Sequence, residues 1–254
     1  MVLKEDATRR RGRDARRFNM VAAKIVGEVV RSTLGPRGMD KMLVDAFGNV
    51  KLTNDGATIL DEIEVQNPSA KIMVDIAKVQ DREVGDGTTT VVVLAAELLK
   101  KAEELLSQGI HPTTIVSGYR LAAQKAIRLL NKIAVPVDIS NHDVLKEIAM
   151  TSIRSKGVEE ARELFSEISV EAIKRIVEKR GKSNIADIDN IQIVKKEGRS
   201  ILETELVRGL ILEKDFVHPK MPKTVRNAKI ALIDSSLEVE KTELNAEIRI
   251  DDPD

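Results

Sequence analysis

Residues 84–99 read VGDGTTTVVVLAAELL, and this stretch decides the fold because a glycine-bracketed turn runs straight into a long apolar-periodic segment. Gly85 and Gly87 can take backbone angles closed to other residues, so Gly85-Asp86-Gly87 breaks the chain, and the run from Thr88 to Leu106 then propagates as a helix. Such an opening has two readings. In one, Thr88, Thr89 and Thr90 are ordinary N-caps after a turn. In the other, converging amides and hydroxyls at a helix start hold a phosphate, with Asp86 a hard oxygen ligand for Mg2+ beside it.

Upstream, residues 68–82 have a helical period with Ile72, Ile76 and Val79. Residues 17–33 place Met20, Ile25, Val29 and Val30 on one helical face. That first helix stops at Leu34-Gly35-Pro36. The stretch Leu34-Gly35-Pro36-Arg37-Gly38 is either a helix terminator or a second glycine loop, in which Arg37 could offset phosphate charge. Between these helices, Lys41–Asp45 and Val50–Thr53 read as a short hairpin around Gly48-Asn49. Asn54-Asp55-Gly56-Ala57-Thr58 is by itself a tight-turn signal.

Downstream, Pro112 sits where a helix begins, Thr113–Ile133 is amphipathic, and Val135-Pro136-Val137 links into a helical segment over Asn141–Ala149. From Ile188 the texture changes. Ile191–Val194, Leu206–Leu212, Lys229–Asp234 and Ala246–Ile250 are short strand-like runs, divided by Gly198, Gly209 and Pro222. The expected architecture is mostly helical first and mixed or mostly β in the last third.

With 42% hydrophobic residues the chain can bury a core, and with 41 basic and 41 acidic residues no global field draws it to nucleic acid or an anionic membrane. The absence of cysteine excludes disulfides, thiolate metal sites and a cysteine nucleophile. His111, His142 and His218 have no metal-ligand spacing. No apolar stretch approaches the roughly 20 residues of a membrane span, and the charged residues 1–17 lack a signal-peptide core, so a cytoplasmic protein is expected. Arg9, Arg10, Arg11, Arg13, Arg16 and Arg17 could contact phosphates. No aromatic stacking residues are interleaved with them, and nucleic acid is not the expected partner. Neither a Walker A motif nor a strand followed by G-x-G-x-x-G is present.

Three motifs in this order, RSTLGPRGMDKMLVD at 31–45, TNDGATIL at 53–60 and VGDGTTTVVVLAAELL at 84–99, resemble the group II (archaeal thermosome and CCT-type) chaperonins. The likeness continues through AMTSIRSKG at 149–157, PKTVRNAKIALIDSSLEVEKTE at 222–243 and AEIRIDDP at 246–253. It implies a multi-domain α plus α/β fold. The parts would be a mostly helical equatorial domain over 1–142, a mixed α/β intermediate domain over 143–208 and the start of an α/β apical domain over 209–254.

The resemblance also implies an ATP-dependent chaperone subunit that binds ATP/ADP with Mg2+, hydrolyses ATP to ADP and phosphate, and folds unfolded client proteins. It would act with other chaperonin subunits in a double ring of about eight or nine per ring. By motif, Leu34, Gly35, Pro36, Arg37 and Gly38 would line the nucleotide, with Arg37 where the family usually has lysine. Gly85, Asp86, Gly87, Thr88, Thr89 and Thr90 would wrap the phosphates, with Asp86 on Mg2+. Asp55 would orient the attacking water and Lys156 would sense the γ-phosphate. Without the resemblance, Lys156 is an ordinary solvated lysine.

The hairpin would pair with a neighbouring subunit's termini. A whole subunit is expected to run roughly twice this length, with a second catalytic carboxylate and a further glycine-rich nucleotide segment on the returning half. Two rivals stand beside this reading. One is a nucleotide-binding assembly fragment without hydrolysis or folding activity, and the other is a nucleic-acid binder that uses the N-terminal arginines.

Overall fold

A computed structural model describes residues 9–236 other than Ser155 and Lys182. The chain forms two compact units, Met1–Leu210 and Ile211–Asp254.

The first unit begins with α1 (Gly12–Arg31), β1 (Lys41–Val44), β2 (Val50–Thr53), α2 (Gly56–Asp61), α3 (Pro68–Val84) and α4 (Thr88–Ser107). It continues through α5 (Pro112–Ile133), α6 (His142–Ile153), α7 (Arg162–Ile176), β3 (Val177–Arg180) and β4 (Ser183–Ala186). Side-chain caps set several starts. The Asn67 side chain accepts from the amides of Ser69 at 2.8 Å and Ala70 at 3.2 Å, ahead of Pro68 in the first turn of α3. Asn141 accepts from Val144 at the start of α6. Left-handed Gly85 (φ 73°) closes α3.

The expected hairpin is present: β1 and β2 pair antiparallel, with Lys41 opposite Thr53 and Val44 opposite Val50. One Asp45 oxygen accepts from the amides of Phe47 and Asn49, both at 2.8 Å, and this ties the connecting turn.

The core lies where α1, α3 and α4 pack together with α2, around Val26, Val30, Ile59, Leu60, Met73 and Val92. Small residues allow the closest approach. A Cβ placed on Gly27 of α1 would lie 2.3 Å from the Ala96 Cβ of α4, too near for two carbons. Ion pairs Lys24–Glu103 and Arg31–Glu97 run along the same α1–α4 contact.

This close packing shifts the buried faces away from those read in the sequence. Of Met20, Ile25, Val29 and Val30, Val30 is buried, Met20 and Val29 are half-buried, and Ile25 is 58% exposed. On α3, Ala70, Met73, Val74 and Ala77 face the core while Ile72 and Val79 are exposed and Ile76 is half-buried. The helices meet through alanine and glycine, and the bulkier aliphatics lie to either side.

Helices α6 and α7 form a second pack, joined by Lys146 to Glu167 at 3.2 Å and His142 to Glu167 at 2.9 Å. Sequence patterning gives neither α7 nor the antiparallel β3–β4 hairpin, in which Val177 faces Ala186 and Arg180 faces Ser183.

The strand-like runs beyond Ile188 differ from expectation. Residues 191–194 and 206–212 form no strand, and regular structure there is limited to 3-10 turns at Ile188–Asn190 and Ile201–Glu203. In the second unit residues 211–236, including the run Lys229–Asp234, form neither helix nor strand. The run Ala246–Ile250 lies outside the described residues. A strand exists only as part of a ladder, and among the described residues none is offered to these segments. No helix among the described residues is long and apolar enough to cross a membrane.

Candidate functional site

The start of α4 is open. Its N-cap is Gly87, left-handed at φ 75°, and no side chain caps the first amides. A long helix that begins this way presents free N–H groups and the positive end of its dipole. The loop before it is fixed at both ends. Gln80 of α3 donates its side-chain amide to the Asp86 carbonyl at 2.8 Å, and the Gly87 amide donates to the Asp86 carboxylate at 2.8 Å.

Asp55 meets this helix start from the side. Asn54-Asp55-Gly56 is no hairpin turn, because β2 ends at Thr53 and Asp55 is the N-cap of α2. One of its oxygens accepts from the Thr58 amide at 2.9 Å and the Thr58 hydroxyl at 2.8 Å. The other accepts from the Thr88 hydroxyl at 3.0 Å and lies 3.6 Å from the Lys156 ammonium. Burial pushes this carboxyl upward, but the two Thr58 bonds, the Thr88 bond and the charge on Lys156 outweigh it. The result is a carboxyl held below the ordinary aspartate range, and so an anion at neutral pH. Gly56 makes the arrangement possible: a Cβ there would sit 2.6 Å from the Thr89 hydroxyl and 2.8 Å from the Thr89 amide nitrogen.

The loop after α1 closes on itself. The Gly38 amide donates to the Gly35 carbonyl and the Met39 amide to the Ser32 carbonyl, both at 2.9 Å. A Cβ on Gly38 would lie 2.1 Å from the Thr33 carbonyl oxygen.

These segments surround one cleft. Of the residues read from the sequence, Leu34, Gly35, Asp86, Gly87, Thr88, Thr89, Thr90 and Lys156 line it. Asp55 reaches it through Thr88 and Lys156. Pro36, Arg37, Gly38 and Gly85 are not among its lining residues. Gly38 and Gly85 shape the two loops, and Arg37 is exposed beside them. Sequence reasoning missed Thr33, Asn54, Thr151, Ser152 and Arg154, which also line the cleft. Asn54 and Arg154 flank residues already singled out. Thr151 and Ser152 become visible only when the end of α6 is placed.

Free helix amides, hydroxyls, a lysine and carboxylates in one polar cleft suit an anionic, metal-chelated ligand. The residues fit a Mg2+–phosphate group: Asp86 is an exposed carboxylate directly before the Gly87 N-cap of α4, and Asp55 is the ionised one further in.

Residues 26–254 match the model of the TCP-1/cpn60 chaperonin family. The chain belongs to that family. It is 56% identical over 243 residues to thermosome subunit beta of Desulfurococcus mucosus, covering 96% of this chain and 48% of the relative. It is 56% identical over 254 residues to thermosome subunit beta of Thermococcus kodakarensis, covering all of this chain and 46% of the relative. Thermosome subunit alpha of Archaeoglobus fulgidus is 54% identical, again over all of this chain and 47% of the relative. The chaperonin chain thus spans about half the length of the relatives it matches.

Proposed function

We propose that this chain is the amino-terminal, nucleotide-binding portion of a group II chaperonin subunit. In this reading the cleft binds ATP or ADP with Mg2+, and the complete subunit hydrolyses ATP to drive folding of unfolded proteins inside a cytoplasmic double ring. The observation that carries it is the meeting of Asp55 with Thr88, at the start of α4, and with Lys156, both of which line one cleft. Three distant segments converge there, and the anion, open helix amides and cation they bring together are groups that phosphoryl transfer to water would use.

The amides and hydroxyls of Thr88, Thr89 and Thr90 would receive phosphate oxygens, and Leu34 and Gly35 would bound the nucleotide on the α1 side. Asp86 would hold Mg2+, which when bound neutralises phosphate charge. Asp55, ionised and fixed by Thr58, would accept a hydrogen bond from the attacking water and orient it. Lys156 would exchange part of its attraction to Asp55 for the terminal phosphate, so that α6 follows the state of the nucleotide. The proposed division is an equatorial part over 1–142, an intermediate part over 143–208 and the start of an apical part over 209–254. The exposed apolar side chains of the β1–β2 hairpin, Met42, Val44, Phe47, Val50 and Leu52, suit pairing with a neighbouring subunit.

Native mass spectrometry with and without Mg-ATP tests this reading. One nucleotide per chain is expected, and Asp86→Ala should release it. In a complete subunit, Asp55→Asn should slow turnover about 100-fold or more with binding largely kept. A wild-type chain that takes up no nucleotide at millimolar Mg-ATP would overturn the reading.

A further inference from the structure

The cleft contains a cation that neither the motifs nor the assignments above use. Arg154 ends α6, where its amide still donates to the Met150 carbonyl at 3.1 Å while its backbone leaves the helix (φ −55°, ψ 133°). Arg154 lines the same cleft as Lys156, Thr89 and Ser152. Three cations of the α6–α7 pack hold a carboxylate: Lys146 has Glu167, Arg162 has Glu159 and Arg175 has Glu171. Arg154 has none among the described residues, and Lys156 is already set against Asp55 at 3.6 Å.

An exposed arginine beside hydroxyls and free helix amides, with no anion of its own, is a receptor for an anion that arrives with the ligand. We propose that Arg154 binds the terminal phosphate of a nucleoside triphosphate in this cleft and makes the cleft prefer triphosphate to diphosphate. The proposal rests on the nucleotide reading above.

The physical argument is one of charge and position. A triphosphate differs from a diphosphate by one phosphate and about one negative charge, both at the distal end of the chain. The open start of α4 and Asp86 suit phosphates generally, since amides and a chelated metal accept any of them. Arg154 and Lys156 come instead from the segment that ends and follows α6, and Lys156 stands beside Asp55, where the water would be activated. The distal phosphate is therefore the group that the end of α6 meets. A guanidinium presents paired N–H donors in a fixed planar fork that matches two phosphate oxygens at once, a geometry that the rotatable ammonium of lysine lacks. Arg154 thus adds affinity that disappears when the terminal phosphate leaves.

Isothermal titration of the chain with Mg-ADP and with a non-hydrolysable Mg-triphosphate analogue tests this on wild type, Arg154→Ala and Arg154→Lys. Circular dichroism controls for folding. Arg154→Ala should weaken the triphosphate about 10-fold and the diphosphate less than about 3-fold, and Arg154→Lys should recover part of the loss. If wild type binds both ligands and Arg154→Ala leaves their affinity ratio unchanged, the role of Arg154 is overturned while the nucleotide site stands. If wild type binds neither, the nucleotide reading falls and this inference with it.

Discussion

Helices α1 and α5 are both amphipathic, yet their fates differ. α1 buries Ala23, Val26, Gly27 and Val30 against α3 and α4, whereas α5 buries Ile115 and leaves Leu121 67% and Ile133 72% exposed. The pattern in each helix says that an apolar face exists but not how near a partner can come. What distinguishes α1 is Gly27, which faces Ala96 with no room for a Cβ between them. The inner helices interlock through missing atoms, and α5 displays large side chains with nothing among the described residues seated on them.

The contrast breaks most directly at the centre of the interlocked set. Ile59 is fully buried among α1, α3 and α4. Ile59→Ala should cost about 2–5 kcal/mol, measured as a lower midpoint of urea unfolding at unchanged slope. A loss below about 1 kcal/mol would mean that this core is loose and differs little from the α5 surface.

The next effect tests the interlock itself. Gly27→Val should cost about 1–3 kcal/mol by overpacking against Ala96, and Ala96→Gly in the same chain should return part of it. Additive losses in the double variant would show that the two positions do not meet and that α1 is held by its aliphatic residues instead.

Much of this architecture was legible in the sequence. Gly85, Pro112 and the Gly48-Asn49 turn mark element ends chemically, and the structure places them there. The core face was not legible, because a hydrophobic period counts bulky residues and so selects Ile25 and Ile72, while closest approach selects Gly27 and Ala77. The strand-like runs after Ile188 misled for a related reason: strand propensity describes a residue, whereas a ladder needs a second segment. At the candidate site the glycine loops and Asp55 could be singled out locally. Their convergence, and the presence of Arg154 and Ser152 in the same cleft, depends on contacts between α2, α4 and α6 that no local pattern encodes.

Asp55 ties the interlocked helices to the cleft, and pH sharpens its part. Its carboxyl is held below the ordinary value of 3.8, so its contribution is complete above that value and is lost as pH falls through the lower folded one. Asp55→Ala should cost about 1 kcal/mol at neutral pH through loss of the α2 cap. It should also flatten the decline of stability with acid below pH 3.8. Thermal melts of both proteins between neutral and strongly acid pH check this. Parallel curves would remove Asp55 from the set of groups that stabilise the fold by being charged.

The smallest expected effect lies on α5. Leu121 is two-thirds exposed, so Leu121→Ala removes apolar area that folding of this chain does not bury. The change in stability should stay within about 0.5 kcal/mol by urea unfolding. A slight gain in solubility is the other expected result, since a bulky aliphatic leaves an open apolar face. If the variant instead lost as much as Ile59→Ala, Leu121 would have to be covered in solution. Repeating the measurement over a range of protein concentrations would then show whether a second copy provides the cover. A loss that grows with concentration marks association through α5, and a constant loss marks packing within the chain.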